Sequence, residues 1–117
     1  MHNLLPTLLL ALLPAMAESY YDRNGAYQGR TETDSSGNTR FYDRSGAYQG
    51  RMQDGRFYDR NGTYQGRVQD GRFYDRNGAY QGRTQDGRYY DRNGAYQGRQ
   101  ENGRFYDRNG AYRGRKQ

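Results

Sequence analysis

Two patterns of apolar and polar residues divide the chain. Leu4 to Leu13 is an apolar run without a charge, whereas beyond it the apolar positions are almost all aromatic and recur at a fixed interval. Aromatic pairs begin at Tyr20, Phe41, Phe57, Phe73, Tyr89 and Phe105, spaced by 21, 16, 16, 16 and 16 residues. Each pair is followed by a single Tyr, at Tyr27, Tyr48, Tyr64, Tyr80, Tyr96 and Tyr112. Such self-similarity marks a repeat architecture, in which one unit buries its apolar side only against its neighbours. The common unit is F-Y-D-R-N-G-A-Y-Q-G-R-x-Q-D-G-R; six copies fill the chain after the leading segment, the first with a five-residue insertion within Thr31 to Arg40, the last stopping at Gln117.

Each unit carries two turn signals. Asn-Gly occurs at Asn24-Gly25, Asn61-Gly62, Asn77-Gly78, Asn93-Gly94 and Asn109-Gly110, with Ser45-Gly46 replacing it once. Asp-Gly occurs at Asp54-Gly55, Asp70-Gly71 and Asp86-Gly87, with Asn102-Gly103 replacing it once. Both dipeptides tolerate the positive φ of two-residue hairpin turns, so each unit predicts two short antiparallel strands with a tight turn at each end. A two-residue loop at Asn61-Gly62 would pair Arg60 with Thr63, Asp59 with Tyr64, Tyr58 with Gln65 and Phe57 with Gly66. One at Asp70-Gly71 would pair Gln69 with Arg72, Val68 with Phe73 and Gly66 with Asp75. Paired residues share a side of the sheet. Both loops then place Phe57, Asp59, Tyr64, Gly66, Val68 and Phe73 on one side and Tyr58, Arg60, Gln65, Arg67 and Arg72 on the other, with no bulge. A three-residue first loop would break this agreement, which favours the two-residue form.

The side bearing Phe is the expected interior, with Gly opposite the ring so that it can lie across the strand. The other is expected to face water, with guanidinium groups lying on Tyr rings. One unit cannot fold alone: a buried Phe contributes about 1.5–3 kcal/mol, against about 1–2 kcal/mol of backbone entropy for each ordered residue. A continuous or closed sheet shares each ring between neighbours, and closure removes edge strands. The variable position runs Thr31, Met52, Val68, Thr84, Gln100 and Lys116. With two of six apolar, either the interior is most apolar near Met52 and Val68, or this position lies near an open end reached by water.

Composition sharpens the division. The first 17 residues of the 117 hold all seven Leu and both Pro but no Arg, Lys, Asp or Glu. After Ala17 the aliphatic or sulfur-bearing residues are Met52, Val68 and five Ala, which excludes a conventional aliphatic core. The absence of Cys excludes disulfides and thiolate metal sites. Residues 1-17 read as a secretory signal peptide: an apolar run too short to span a bilayer, bracketed by Pro6 and Pro14, then the small-x-small sequence Ala15-Met16-Ala17. The expected organisation is a signal segment over 1-17 and a hairpin-repeat domain over 18-117, exported to the periplasm or the extracellular space, with no transmembrane span in the mature form.

The stretches FYDRSGAYQGRMQDGR (Phe41 to Arg56), FYDRNGTYQGRVQDGR (Phe57 to Arg72), FYDRNGAYQGRTQDGR (Phe73 to Arg88) and YYDRNGAYQGRQENGR (Tyr89 to Arg104) resemble the bacterial β-flower repeat proteins. In these, hairpins of the form aliphatic-Tyr-Asp-x-x-Gly-x-x-x-Gly-Arg-x radiate about a pseudo-symmetry axis as four-fold or five-fold petals. The resemblance covers nearly all of 20-115. It implies a small bacterial protein with no catalytic residues to carry over. The expected fold class is all-β, repeated β-hairpins in a flower-like or closed antiparallel meander preceded by an N-terminal signal helix.

Chemistry is sparse. The only His is His2, so after the signal segment the usual acid-base, nucleophilic and imidazole-metal constellations are missing; no enzymatic activity, cofactor or metal is expected. Asp22, Asp43, Asp59, Asp75, Asp91 and Asp107 recur beside a turn, where capping hydrogen bonds account for them, and an adjacent Arg disfavours calcium. Eighteen Arg and one Lys against 13 Asp and Glu give net charge +6. Interleaved with Tyr and Gly they match single-strand nucleic-acid binders in form, but a flexible chain of that kind is disfavoured in an exported protein. The expected role is structural or interaction. The alternative is a multivalent binder of an anionic envelope polymer, polysaccharide or lipid surface through Tyr27, Tyr48, Tyr64, Tyr80, Tyr96, Tyr112, Arg51, Arg67, Arg83 and Arg99.

Overall fold

The computed structural model describes residues 17–117. The strands are β1 (Ala17–Asp22), β2 (Tyr27–Thr33), β3 (Thr39–Asp43), β4 (Tyr48–Gln53), β5 (Arg56–Asp59), β6 (Tyr64–Gln69), β7 (Arg72–Asp75), β8 (Tyr80–Gln85), β9 (Arg88–Asp91), β10 (Tyr96–Glu101), β11 (Arg104–Asp107) and β12 (Tyr112–Lys116). Each pairs antiparallel with its sequence neighbours, and β1 pairs with β12, so the meander closes into a barrel. The repeat thus forms the closed all-β meander of hairpins. The expected signal segment lies outside the described residues, apart from Ala17, which opens β1.

The Asp-Gly turns are the expected two-residue loops. Asp70 has φ +54° and Gly71 φ +76°, the two left-handed residues of a type I′ turn, and Gln69 pairs with Arg72, Val68 with Phe73 and Gly66 with Asp75. In the first unit the insertion replaces this turn by a longer loop. There Gly37 N–H donates to the Asp34 carbonyl at 3.0 Å and Asp34 N–H to the Asn38 carbonyl at 2.9 Å.

The Asn-Gly turns differ from expectation. Gly62 N–H donates to the Asp59 carbonyl and Asp59 N–H to the Thr63 carbonyl, both at 2.9 Å. The loop is therefore the three residues Arg60, Asn61 and Gly62, a type I turn closed by a left-handed glycine. The two-residue register, with Arg60 opposite Thr63, Asp59 opposite Tyr64 and Tyr58 opposite Gln65, is not formed. Instead Tyr58 pairs with Tyr64, a bulge follows, and Phe57 pairs with Gly66. The bulge leaves Gln65 as the extra residue, restores the parity that the longer loop shifts, and moves Tyr64 to the side of Tyr58 rather than that of Phe57. A register shift at the same place occurs in all six units.

Phe57 and Phe73 lie on the same, inner side. Phe41, Phe57, Phe73 and Tyr89 form the buried cluster, with Met52 and Val68 packed against it. The interior is thus most apolar near Met52 and Val68, the first of the two expectations for the variable position. Towards the closing strands it turns polar: Thr31 is buried, Tyr20 stacks on Phe105 with centroids 6.3 Å apart, and both of those rings are half-buried. Gly66 shows why the unit needs glycine opposite the ring. Its φ is +141°, and a Cβ there would collide with the backbone of Tyr74 and Asp75.

Candidate binding surface: the outer arginine–tyrosine belt

Strand alternation sends the residues next to Phe, Gly and the variable position outward. Each unit places two Tyr there side by side, because the bulge brings Tyr64 opposite Tyr58. Their rings meet edge to face at 6.0 Å, and the same contact recurs at 5.9–6.0 Å for Tyr21–Tyr27, Tyr42–Tyr48, Tyr74–Tyr80, Tyr90–Tyr96 and Tyr106–Tyr112. Edge-to-face geometry sets the positive rim of one ring against the negative face of the other.

An Arg from the preceding strand covers the first Tyr of every pair. Arg67 lies 4.2 Å from the centroid of Tyr74, because the type I′ turn sets these residues opposite one another. Arg51 covers Tyr58 at 4.4 Å, Arg83 covers Tyr90 at 4.3 Å and Arg99 covers Tyr106 at 4.2 Å. All ten candidate residues, Tyr27, Tyr48, Tyr64, Tyr80, Tyr96, Tyr112, Arg51, Arg67, Arg83 and Arg99, therefore share one outer belt. Two further arginines complete it: Arg30 over Tyr42 at 4.2 Å and Arg115 over Tyr21 at 4.4 Å, the latter reaching across the closure. The candidate set omitted both, although each follows a glycine as the other four do, in Gly29-Arg30-Thr31 and Gly114-Arg115-Lys116.

The belt is dense in charge. Arg40 stands opposite Arg51, Arg56 opposite Arg67, Arg72 opposite Arg83, Arg88 opposite Arg99 and Arg104 opposite Arg115. Like charges directly across a sheet are unfavourable. Among the described residues, two belt guanidiniums take an ion pair, Arg99 of the Arg88–Arg99 pair and Arg30, which stands opposite Tyr42 rather than an arginine. Arg30 Nε donates to Glu32 Oε2 at 3.2 Å and Arg99 Nε to Glu101 Oε1 at 3.3 Å. The bond to Glu32 raises the pKa of Arg30; the Tyr96 hydroxyl first, then Glu101, raise that of Arg99. At Arg51 the equivalent acceptor is the neutral Gln53 Oε1, at 3.3 Å.

The recurrent aspartates lie at the loop end of each hairpin and serve the turn. Asp59 Oδ1 accepts from Asn61 N–H at 2.9 Å and Thr63 N–H at 3.0 Å, while Oδ2 accepts from the Gln65 side chain at 3.0 Å. The bulged Gln65 thereby ties its strand to the loop. These bonds favour the ionised form, and the bond from Thr63 foremost holds Asp59 below the usual carboxylate range. The Ser45 hydroxyl does the same first at Asp43, and the Ala111 amide at Asp107. Among the described residues no three His, Cys, Asp or Glu side chains gather as a metal site would require.

Comparison with known proteins finds no matching family model, no matching curated sequence and no matching solved structure.

Proposed function

We propose that this chain is an exported, non-enzymatic binding protein whose outer belt docks onto an anionic polymer of the cell envelope. The observation that carries the reading is the set of five outward Arg–Arg pairs. A scaffold with no partner gains nothing from like charges set face to face, whereas a polyanion laid along the belt turns the same charges to advantage. Six near-equivalent Arg–Tyr–Tyr groups give many weak contacts on one rigid body, so affinity accumulates by avidity. The Tyr rings hold each stacked guanidinium in place, and since Arg30, Arg51 and Arg99 commit an Nε–H to Glu32, Gln53 and Glu101, a ligand would be met by the other N–H groups. The outward arginines also argue against a barrel spanning lipid, where Arg at mid-membrane costs about 2–4 kcal/mol. The likeness of the hairpins to β-flower repeats brings no catalytic residues to this reading.

Retention on immobilised polygalacturonate, measured against salt concentration, tests the reading. The parent is expected to be retained beyond about 50 mM salt, and the variant R51Q/R67Q/R83Q/R99Q to elute earlier with a shallower salt dependence. Loss of the parent below that salt concentration, or identical elution of parent and variant, overturns it.

A further inference from the structure

The contact between β12 and β1 is the one place in the ring where neighbouring strands are not joined by a turn. There Tyr20, Tyr21 and Asp22 pair with Lys116, Arg115 and Gly114, just as Phe105, Tyr106 and Asp107 pair with Gln100, Arg99 and Gly98. Strand β1 thus supplies the aromatic strand that a further unit would have supplied. Glu18, two residues before Tyr20, stands where other units carry the glycine of the Asp-Gly turn, two residues before Phe57 or Phe73.

At this junction Lys116 Nζ donates to Glu18 Oε2 at 3.2 Å, with the two side chains only 7% and 13% exposed. The Tyr20 hydroxyl donates to the other carboxylate oxygen at 3.2 Å. Glu18 pairs with the buried Thr31 and Lys116 with Tyr20, which places both on the inner side. The variable position is neutral in the first five units, at Thr31, Met52, Val68, Thr84 and Gln100, and charged only at Lys116.

Near-identical units make strand partnering degenerate. The backbone ladder of β1 would fit any strand carrying Gly-Arg-x, because ladder hydrogen bonds do not read side chains. A charge turned inward does read them: Glu18 set beside Met52 or Val68 would be a buried carboxylate without a cation. We propose that the Glu18–Lys116 pair is the latch of the ring, replacing the missing turn and selecting β12 as the partner of β1. Tethering within one chain then makes closure on itself outcompete pairing with a second copy.

Charge reversal in the full chain, read by native mass spectrometry and thermal unfolding, tests this. Glu18→Lys sets two cations at the junction and Lys116→Glu sets two anions, so each variant alone is expected to lose the closed monomer and to unfold at lower temperature. The double variant E18K/K116E restores the complement and is expected to recover the monomer. Refolded together in equal amounts, the two single variants offer each other a matching strand, and a one-to-one dimer of twice the parent mass is expected even where neither folds alone. Single variants that keep the parent mass and thermal midpoint, a double variant no better than the singles, or a mixture without the one-to-one dimer would each overturn the latch.

Discussion

Replacing Gly66 and Gly62 by alanine, one at a time, separates backbone strain from strand packing. Both glycines have positive φ, +141° and +84°, so both substitutions strain the backbone. Only one meets its surroundings. A Cβ at Gly62 finds open space, whereas at Gly66 it strikes the carbonyl oxygen of Tyr74 and presses on Asp75 Cα at 3.2 Å. The obstacle is backbone, which cannot swing aside as a flexible side chain would. Gly62→Ala should therefore cost about 1–2 kcal/mol, the penalty of a left-handed alanine. Gly66→Ala adds to a comparable strain the separation of β6 from β7, which loses or weakens about two ladder hydrogen bonds of about 0.5–1.5 kcal/mol each. The Gly66 variant should then be less stable than the Gly62 variant by about 1–3 kcal/mol, a shift of roughly 4–8 °C in Tm per kcal/mol for a domain of this size. Urea unfolding followed by near-ultraviolet circular dichroism of the tyrosines measures the difference. Equal destabilisation of the two variants would refute the close-approach argument and leave only a conformational preference.

Two further predictions concern the belt and the interior. A double-mutant cycle on Arg67→Ala and Tyr74→Leu should give a coupling of about 0.5–1 kcal/mol in favour of the stacked pair, and a coupling of zero would mean that the 4.2 Å contact carries no stability. Burial foremost raises the pKa of Tyr20 and of Tyr89 above the ordinary 10.0. A folded-state pKa above the unfolded one contributes stability that is full below pH 10.0 and is lost as pH rises towards the folded value. The barrel should therefore weaken above that pH and Tyr89→Phe should soften the loss; a variant that follows the parent in alkaline unfolding monitored by tyrosinate absorbance would contradict this.

Much of the fold could be read from the residues, and the point of failure has a physical cause. Asp70-Gly71 was legible because two adjacent positive φ values are the signature of the tightest hairpin turn. The pairings of Phe57 with Gly66 and of Val68 with Phe73 followed the expected register. Asn61-Gly62 misled because the same dipeptide also ends a type I turn, and a shift of one residue in the loop is cancelled by the bulge at Gln65. The two errors in parity compensate at Phe57 and leave Tyr64 alone on the wrong side. Asp at the first and Gly at the fourth position of Asp59-Arg60-Asn61-Gly62 was the available signal, since that is the preference of type I turns. For the candidate surface, the Arg–Tyr stacking was legible from alternation and the Arg–Arg pairs from the register that sets Phe57 against Gly66, but the edge-to-face Tyr pairs depend on the bulge. Lys116 was hardest: a polar residue at the end of the chain gives no sign that it turns inward until Glu18 is seen beside it.

The cancellation of loop and bulge inside each hairpin reaches beyond one unit. Because every 16-residue copy returns the chain to the phase in which it started, a whole copy can be added or removed without changing which side the remaining rings face, whereas losing an odd number of residues inside a strand inverts its far part against its neighbours. Each added or lost copy would change the strand number by two, and with it the circumference, while the two ends would still have to meet at the β12–β1 junction.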